Sequence, residues 1–252
     1  MKVYFVGAGP GDPELLTRKA ARLIAGARVC IYAGSLVSQE IIDLLPEDAE
    51  RHDSAGMTLE QTIAVCRDAQ AADQDVIRLH SGEPAIYGAI GEQMAALDRH
   101  GIEYEVVPGI SAFQAAAAAL RVELTMPEVS QTVILTRIAG RTPMPAGQEL
   151  TRLAASRATL CLYLSTDRVG AICEELVPVY GDECPAALVC HASRSDEQVV
   201  RGTLSDLARR VEQAGIHKTA IILVGNALGA SSRTSRLYDA TFSHGYRKAE
   251  EP

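Results

Sequence analysis

The residues best suited to holding a ligand come almost at the start of the chain, in Gly7-Ala8-Gly9-Pro10-Gly11-Asp12-Pro13, directly after the β-branched and aromatic run Val3–Val6. A strand that empties through glycines into a helix presents successive backbone N–H groups at its end, which is how α/β proteins hold small polar and anionic ligands. Two nucleotide motifs fail on this stretch. No Gly-Lys-Ser/Thr closes the turn, so it is not a P-loop. Asp12 stands where G-x-G-x-x-G needs its third glycine, and Tyr32-Ala33-Gly34-Ser35 replaces the acid expected after the second strand. A tight turn that needs glycine only for positive φ is the plain alternative. Its two prolines make it stiff, which suits a preformed ligand wall better than a moving lid. Two later loops have the same character, Ser81-Gly82-Glu83-Pro84 and Pro108-Gly109-Ile110-Ser111. Metal chemistry has no comparable signal: the histidines include no H-E-x-x-H, and the cysteines form no C-x-x-C pair.

The elements around these loops decide where they lie. Val3–Val6, Arg28–Tyr32, Asp75–Leu79 and Tyr104–Val107 read as buried strands. Between and after them, helical spacing runs from Leu15 to Ile24 (ended by Gly26), over Ser38–Leu45 (stopped by Pro46), from the Thr58/Gln61 capping box to about Ala71, from Tyr87 to His100, and over Ala112–Leu120. Strand, crossover helix, strand is the grammar of a parallel sheet. In such a sheet all three glycine loops open on one edge, the carboxyl edge, and that coincidence carries more weight than any single loop.

The aperiodic stretch around Glu123, Pro127 and Glu128 reads as a linker. The expected organisation is therefore an α/β domain over 1–122, a linker over 123–131 and a second α/β domain over 132–252. Strands are expected there at Thr132–Arg137, Ala158–Leu164, Ala186–His191, Val199–Gly202 and Thr219–Val224, with helices over Val169–Leu176 and Leu204–Ala214. A polar turn of Ser193, Arg194 and Asp196 invites antiparallel pairing, so the second sheet is expected to be mixed. Only Leu237–Phe242 breaks the polar run of the tail.

Bulk properties narrow the function. With 24 Lys and Arg against 32 Asp and Glu, the net charge is −8, which argues against nucleic acid or an anionic membrane as partner. No apolar run reaches the length of a membrane span, and the N-terminus is broken at Gly7 too early for a signal peptide. Scattered cysteines in apolar runs read as free core thiols, and a cytoplasmic location follows.

Taken together, Val6-Gly7-Ala8-Gly9-Pro10-Gly11-Asp12-Pro13, Arg78-Leu79-His80-Ser81-Gly82-Glu83-Pro84 and Val107-Pro108-Gly109-Ile110-Ser111 resemble the tetrapyrrole methylases, S-adenosylmethionine-dependent enzymes of sirohaem and cobalamin synthesis. The likeness runs from Val3 to about Arg247. Tyr32–Val37, Leu124–Arg137, Leu237–Asp239 and Ser243–Arg247 narrow it within the family. The resemblance implies two α/β domains with the cofactor in the cleft between them, and a homodimer. It also implies a cofactor pocket at Pro10, Ser81, Gly82, Glu83, Ile86, Ser111, Ala112, Leu164, Ala192 and Ala220. Two positions depart from the family pattern: Glu83 replaces a more usual aspartate, and Gly34 stands where many relatives carry one.

An anionic tetrapyrrole would need cations, and Arg121, Arg137, Arg141 and Arg168 fall at or beside strand-end loops or the linker, where guanidinium forks can take carboxylates in two-point fashion. Tyr87, His80 and Glu123 are the candidates for a general base. Rival readings are a nicotinamide oxidoreductase, which the missing third glycine disfavours, and a tetrapyrrole carrier, which would need no adenosyl pocket. A sibling methylase acting at another ring carbon, or on a diphthamide precursor, would differ only in its substrate trough.

Overall fold

The computed structural model describes residues 1–140, 142–229 and 240–248. They form two compact units: Met1–Ala119 with His191–Gln198, and the described residues of Leu120–Cys190 with Val199–Pro252.

The first unit is built on β1 (Val3–Gly7), β2 (Val29–Tyr32), β3 (Glu50–Asp53), β4 (Val76–His80) and β5 (Tyr104–Val107), in the order β3-β2-β4-β1-β5. Every pairing in it is parallel. β1 and β2 are apolar along their length because both faces of the sheet are covered there. Val6, Cys30, Ile77 and Leu79 face a core shared with α1 (Arg18–Ala25) and α2 (Gln39–Ile42). Val3, Phe5, Ile31 and Val76 face the core of α3 (Leu59–Ala71) and α4 (Ile90–Arg99). Each fully buried Phe, Ile or Leu among them stabilises the fold by roughly 1.5–3 kcal/mol.

Local chemistry sets the helix ends. Thr58 Oγ1 accepts from the Gln61 N–H at 3.2 Å and Gln61 Oε1 accepts from the Thr58 N–H at 2.8 Å, so the capping box that opens α3 is complete. The Thr17 hydroxyl caps α1 by accepting from the Ala20 N–H at 3.1 Å, and Gly26 ends that helix.

Three features of the first unit depart from the sequence expectation. β3 was not anticipated: Glu50-Arg51-His52-Asp53 is polar because the strand lies at a sheet edge and is partly solvated. The fourth helix begins at Ile90 and not at Tyr87, because Tyr87 and Ala89 are left-handed, with φ of 58° and 49°. The Ser38–Leu45 helix shortens to Gln39–Ile42.

The second unit's sheet holds β6 (Val133–Thr136), β7 (Thr159–Leu162), β8 (Pro185–Cys190), β9 (Gln198–Thr203) and β10 (Ala220–Val224) in the order β6-β7-β10-β8-β9. β6 and β7 are parallel, whereas β10 runs antiparallel to both β7 and β8, so the sheet is mixed. Leu160, Leu162, Leu188 and Ile222 pack with Ile172 and Leu176 of α7 (Val169–Tyr180) and with Leu207 and Val211 of α8 (Leu207–Gln213). α7 continues past the expected Leu176, through Pro178, and stops at Gly181 with φ +86°. A short helix, α6 (Leu150–Ala154), was also not anticipated. α5 (Ala112–Leu120) leads from the first unit toward the aperiodic stretch. There, Thr159 Oγ1 donates to the Leu124 carbonyl at 2.8 Å and the Thr159 N–H to Ser130 Oγ at 3.1 Å, pinning 124–130 to the start of β7.

Candidate functional site

β4, β1 and β5 are neighbours in the first sheet, so the three glycine loops emerge side by side at its carboxyl edge. Backbone hydrogen bonds tie the first two together: Ala8 N–H to His80 O at 2.8 Å, Gly9 N–H to Gly82 O at 3.3 Å, and Gly82 N–H to Gly9 O at 2.7 Å. The third is joined by contact too close for any side chain. A Cβ on Gly7 would lie 2.6 Å from Gly109 Cα, and a Cβ on Gly109 would lie 2.3 Å from Gly82 O. Gly9 and Gly82 also sit at φ +66°, the left-handed region.

The Glu83 carboxylate adds a further tie. Oε2 accepts from the Gly109 N–H at 2.8 Å and Oε1 from the Ala85 N–H at 3.0 Å. The extra methylene of Glu83 thus reaches across to the third loop, and its oxygens serve backbone donors. The result is a rigid ledge of small residues. It presents main chain at the sheet's carboxyl edge, where the N-terminal end of α5 also lies.

Of the cofactor residues expected on this unit, Pro10, Gly82 and Ser111 are buried, Glu83, Ile86 and Ala112 are half-buried, and Ser81 is exposed. Ala192 is buried, in the segment His191–Gln198 that follows β8 and packs with this unit. That strap is firmly attached. The Asp12 N–H donates to Ser193 Oγ at 3.1 Å, Ser195 Oγ to Glu40 Oε1 at 3.2 Å, and Arg194 Nη2 to the Leu36 carbonyl. Gly11, at φ +151°, lies so close to Arg194 that an added Cβ would stand 2.3 Å from its Cγ. The Ser38 hydroxyl in turn donates to Gly11 O at 2.7 Å. Sequence reading saw a polar turn here and missed its role, because nothing local says which loop it will meet.

Beside this network, Gly34 has no room for a side chain. Asp53 Oδ1 accepts from the Gly34 N–H at 3.0 Å and the Ala55 N–H at 2.9 Å, and those bonds hold its carboxyl below the usual range. A Cβ on Gly34 would meet Asp53 Oδ2 at 2.7 Å. The space an aspartate side chain would need at position 34 is thus taken by the carboxylate of Asp53.

The other expected residues lie on the second unit. Leu164 is 71% exposed and left-handed at φ 52°, just past β7. Ala220 opens β10, and its carbonyl accepts from Thr166 Oγ1 at 3.3 Å. Arg137 uses its guanidinium on main chain: Nη1 donates to the carbonyls of Ile138 and Thr142, each at 3.1 Å, and Nη2 to that of Pro143 at 2.8 Å. Arg168 Nη1 reaches Ala139 O at 3.4 Å. Both arginines therefore organise the loop that follows β6, a role not anticipated from their positions. Arg121 is exposed and left-handed at φ 54°, directly after α5. Arg141 and residues 237–239 lie outside the described residues.

The three base candidates differ sharply. Tyr87 is 45% exposed and Glu123 is exposed. His80 is buried against Phe5, and burial together with the charge of Arg78 pushes its imidazole down to about 3. It is neutral near pH 7 and too weak a base for proton abstraction. Among the described residues no three His, Cys, Asp or Glu side chains form a group able to hold a metal ion, and no helix is long and apolar enough to cross a membrane.

Residues 2–208 match the family Tetrapyrrole (Corrin/Porphyrin) Methylases. The chain is 48% identical over 252 residues to a cobalt-precorrin-4 C(11)-methyltransferase of Methanocaldococcus jannaschii, covering 99% of this chain and 97% of the relative. It is 49% identical over 243 residues to a precorrin-4 C(11)-methyltransferase of Rhodococcus erythropolis, covering 96% and 98%. Among solved structures, a cobalt precorrin-4 methyltransferase superposes with a TM-score of 0.88 at 44% identity, over 90% of this chain and 95% of the other. A uroporphyrin-III C-methyl transferase from Thermus thermophilus, complexed with S-adenyl homocysteine, superposes with a TM-score of 0.77 at 30% identity, over 91% and 99%.

Proposed function

The chain belongs to the tetrapyrrole methylases, and from that membership we propose that it transfers a methyl group from S-adenosylmethionine to C-11 of precorrin-4 in cobalamin biosynthesis. The observation that carries this reading is identity of 48% and 49%, along almost the whole chain, to relatives named for that reaction. We take metal-free precorrin-4 as the substrate. The cobalt-loaded ring is the second reading, favoured by the M. jannaschii relative, and there the metal belongs to the substrate.

The residues present fit the cofactor. Gly7, Gly82 and Gly109 pack main chain on main chain, so the three loops offer backbone groups at one edge. Pro10, Ser81, Gly82, Glu83, Ile86, Ser111, Ala112 and Ala192 on the first unit would hold the cofactor. When bound, it supplies an electrophilic methyl on a sulfonium. Transfer to an electron-rich ring carbon asks the protein for placement and exclusion of water, not for a covalent nucleophile. Tyr87 and Glu123 are exposed and suited to contact the substrate or exchange a proton with it, whereas neutral, buried His80 suits packing. Arg137 and Arg168 shape the loop after β6, and with Arg121 and Arg141 they supply positive charge for the carboxylates of the ring. We also take the protein to be a cytoplasmic homodimer. Its six cysteines, all buried and none in a disulfide, accord with that compartment.

The test is a paired incubation of the protein with S-adenosylmethionine and either metal-free or cobalt-loaded precorrin-4, followed by mass spectrometry. The expected result is one added methyl on the metal-free ring. Methylation of the cobalt form alone would keep the reaction and change the substrate. A methyl on neither would remove the C-11 assignment.

A further inference from the structure

β4 carries a guanidinium on a face that is mostly hydrocarbon. Val76, Arg78 and His80 alternate onto the side of the sheet where Val3, Phe5 and Ile31 meet α3 and α4. Arg78 forms no ion pair among the described residues, and its Nη1 is sealed from solvent without an acceptor. Arg78 as a residue is half-buried, so its charge is only partly withdrawn from water, and the sealed Nη1 is the atom left unserved. What the guanidinium does is donate from Nε to Oε1 of buried Gln93, at 3.1 Å.

That bond has a directional consequence. Arginine has donors only, so it dictates which end of the glutamine amide faces it. The Gln93 amide nitrogen is thereby turned the other way, onto the carbonyl of Ala89 at 3.1 Å. Ala89 is the residue before α4 and offers no side-chain cap of its own. Both it and Tyr87 are left-handed, an unfavourable state for residues with side chains. Gly88 between them has no room either: an added Cβ would lie 2.2 Å from Pro84 O and 3.2 Å from His80 Nδ1. Strain of this kind persists only where the surroundings over-determine it. Its product is an aromatic ring, 45% exposed, in the loop that also carries Ser81, Gly82 and Glu83.

We propose that Arg78 and Gln93 are positioning residues. They hold the strained turn Tyr87–Ala89 so that the Tyr87 ring serves as a stacking platform for the flat, conjugated part of the substrate ring. This rests on the methylase reading above, and aromatic stacking is the chemistry that would recognise such a face.

Gln93→Glu is the informative change. It keeps an acceptor for Arg78, gives that cation a charge partner, and removes the donor to Ala89. The melting temperature is expected to hold or rise, while amide hydrogen exchange over residues 85–89 quickens. Loss of the hydrogen bond should raise KM for precorrin-4 about tenfold and leave S-adenosylmethionine affinity within about twofold. Tyr87→Leu should raise the same KM, and adding Gln93→Glu to it should add little, since both act through one ring. Unchanged exchange over the turn overturns the proposal. So does a parallel loss of macrocycle and cofactor binding, or simple additivity in the double variant. Gln93→Met, which removes both bonds, serves if the glutamate variant does not fold. Wild-type turnover is measured in the same series. A wild type that methylates neither ring removes the methylase reading, whereas the exchange comparison decides the relay by itself.

Discussion

Gly109 shows how a single hydrogen atom for a side chain can be a functional requirement. Its Cα faces Gly7, an added Cβ would stand 2.3 Å from Gly82 O, and its N–H is held by Glu83. Gly109→Ala must therefore push the β5 loop off the other two. Overpacking of this kind costs roughly 1–3 kcal/mol of stability. We expect cofactor affinity measured by calorimetry to fall by more than tenfold, because the ledge itself is deformed. Gly140→Ala is the control, since none of the described residues lies within 4 Å of a Cβ there. Equal affinity in the two variants would show that the packed glycines do not shape the cofactor site. Two other residues follow the same lesson. Glu83 and Arg137 look in the sequence like ligand-binding charges, yet both are bonded to main chain, which fixes loops.

The element that most needs testing is the strap His191–Gln198. It braces itself, with the Ser193 N–H on Glu197 Oε2 at 2.7 Å and His191 Nδ1 beside Asp196 Oδ2 at 2.7 Å. His191 and Ser193 are left-handed, at φ 48° and 71°, so its shape is imposed and not relaxed. Arg194 then joins the Gly11 loop to the turn after β2. Arg194→Ala removes a hydrogen bond and a packed hydrocarbon stem, a change worth about 1–2 kcal/mol. We expect faster hydrogen exchange in residues 9–12 and 33–38, and weaker cofactor binding with kcat at saturation nearly kept. Unaltered exchange in both segments would mean that the strap merely rests there.

At the scale of the whole molecule, the six cysteines give a clean test of the packing. All are buried, and none is in a disulfide. Burial pushes the thiols of Cys30 and Cys161 up to about 12 and those of Cys66 and Cys184 up to about 11. Raising the pH from 7 to 9 should therefore leave these four thiols protonated in the folded protein. A disulfide reagent should titrate six thiols in denaturant and find none that reacts fast without it. One fast native thiol would reveal an opening that the packing does not show. The sequence by itself determined the alternation of strand and helix, the parallel first sheet and the mixed second one. It also determined that three glycine loops share one edge, and that Thr58 and Gln61 cap a helix. These follow from periodicity and capping, which act over a few residues. Only the tertiary structure decided that β1 lies between β4 and β5, which presses Gly7, Gly82 and Gly109 together. It alone turned Glu83 and Arg137 to the main chain, sealed Arg78 beside Gln93, and brought Ser193 to Asp12 across 181 residues. Such partners are chosen by which surfaces close against each other, and no local pattern in the chain encodes that choice.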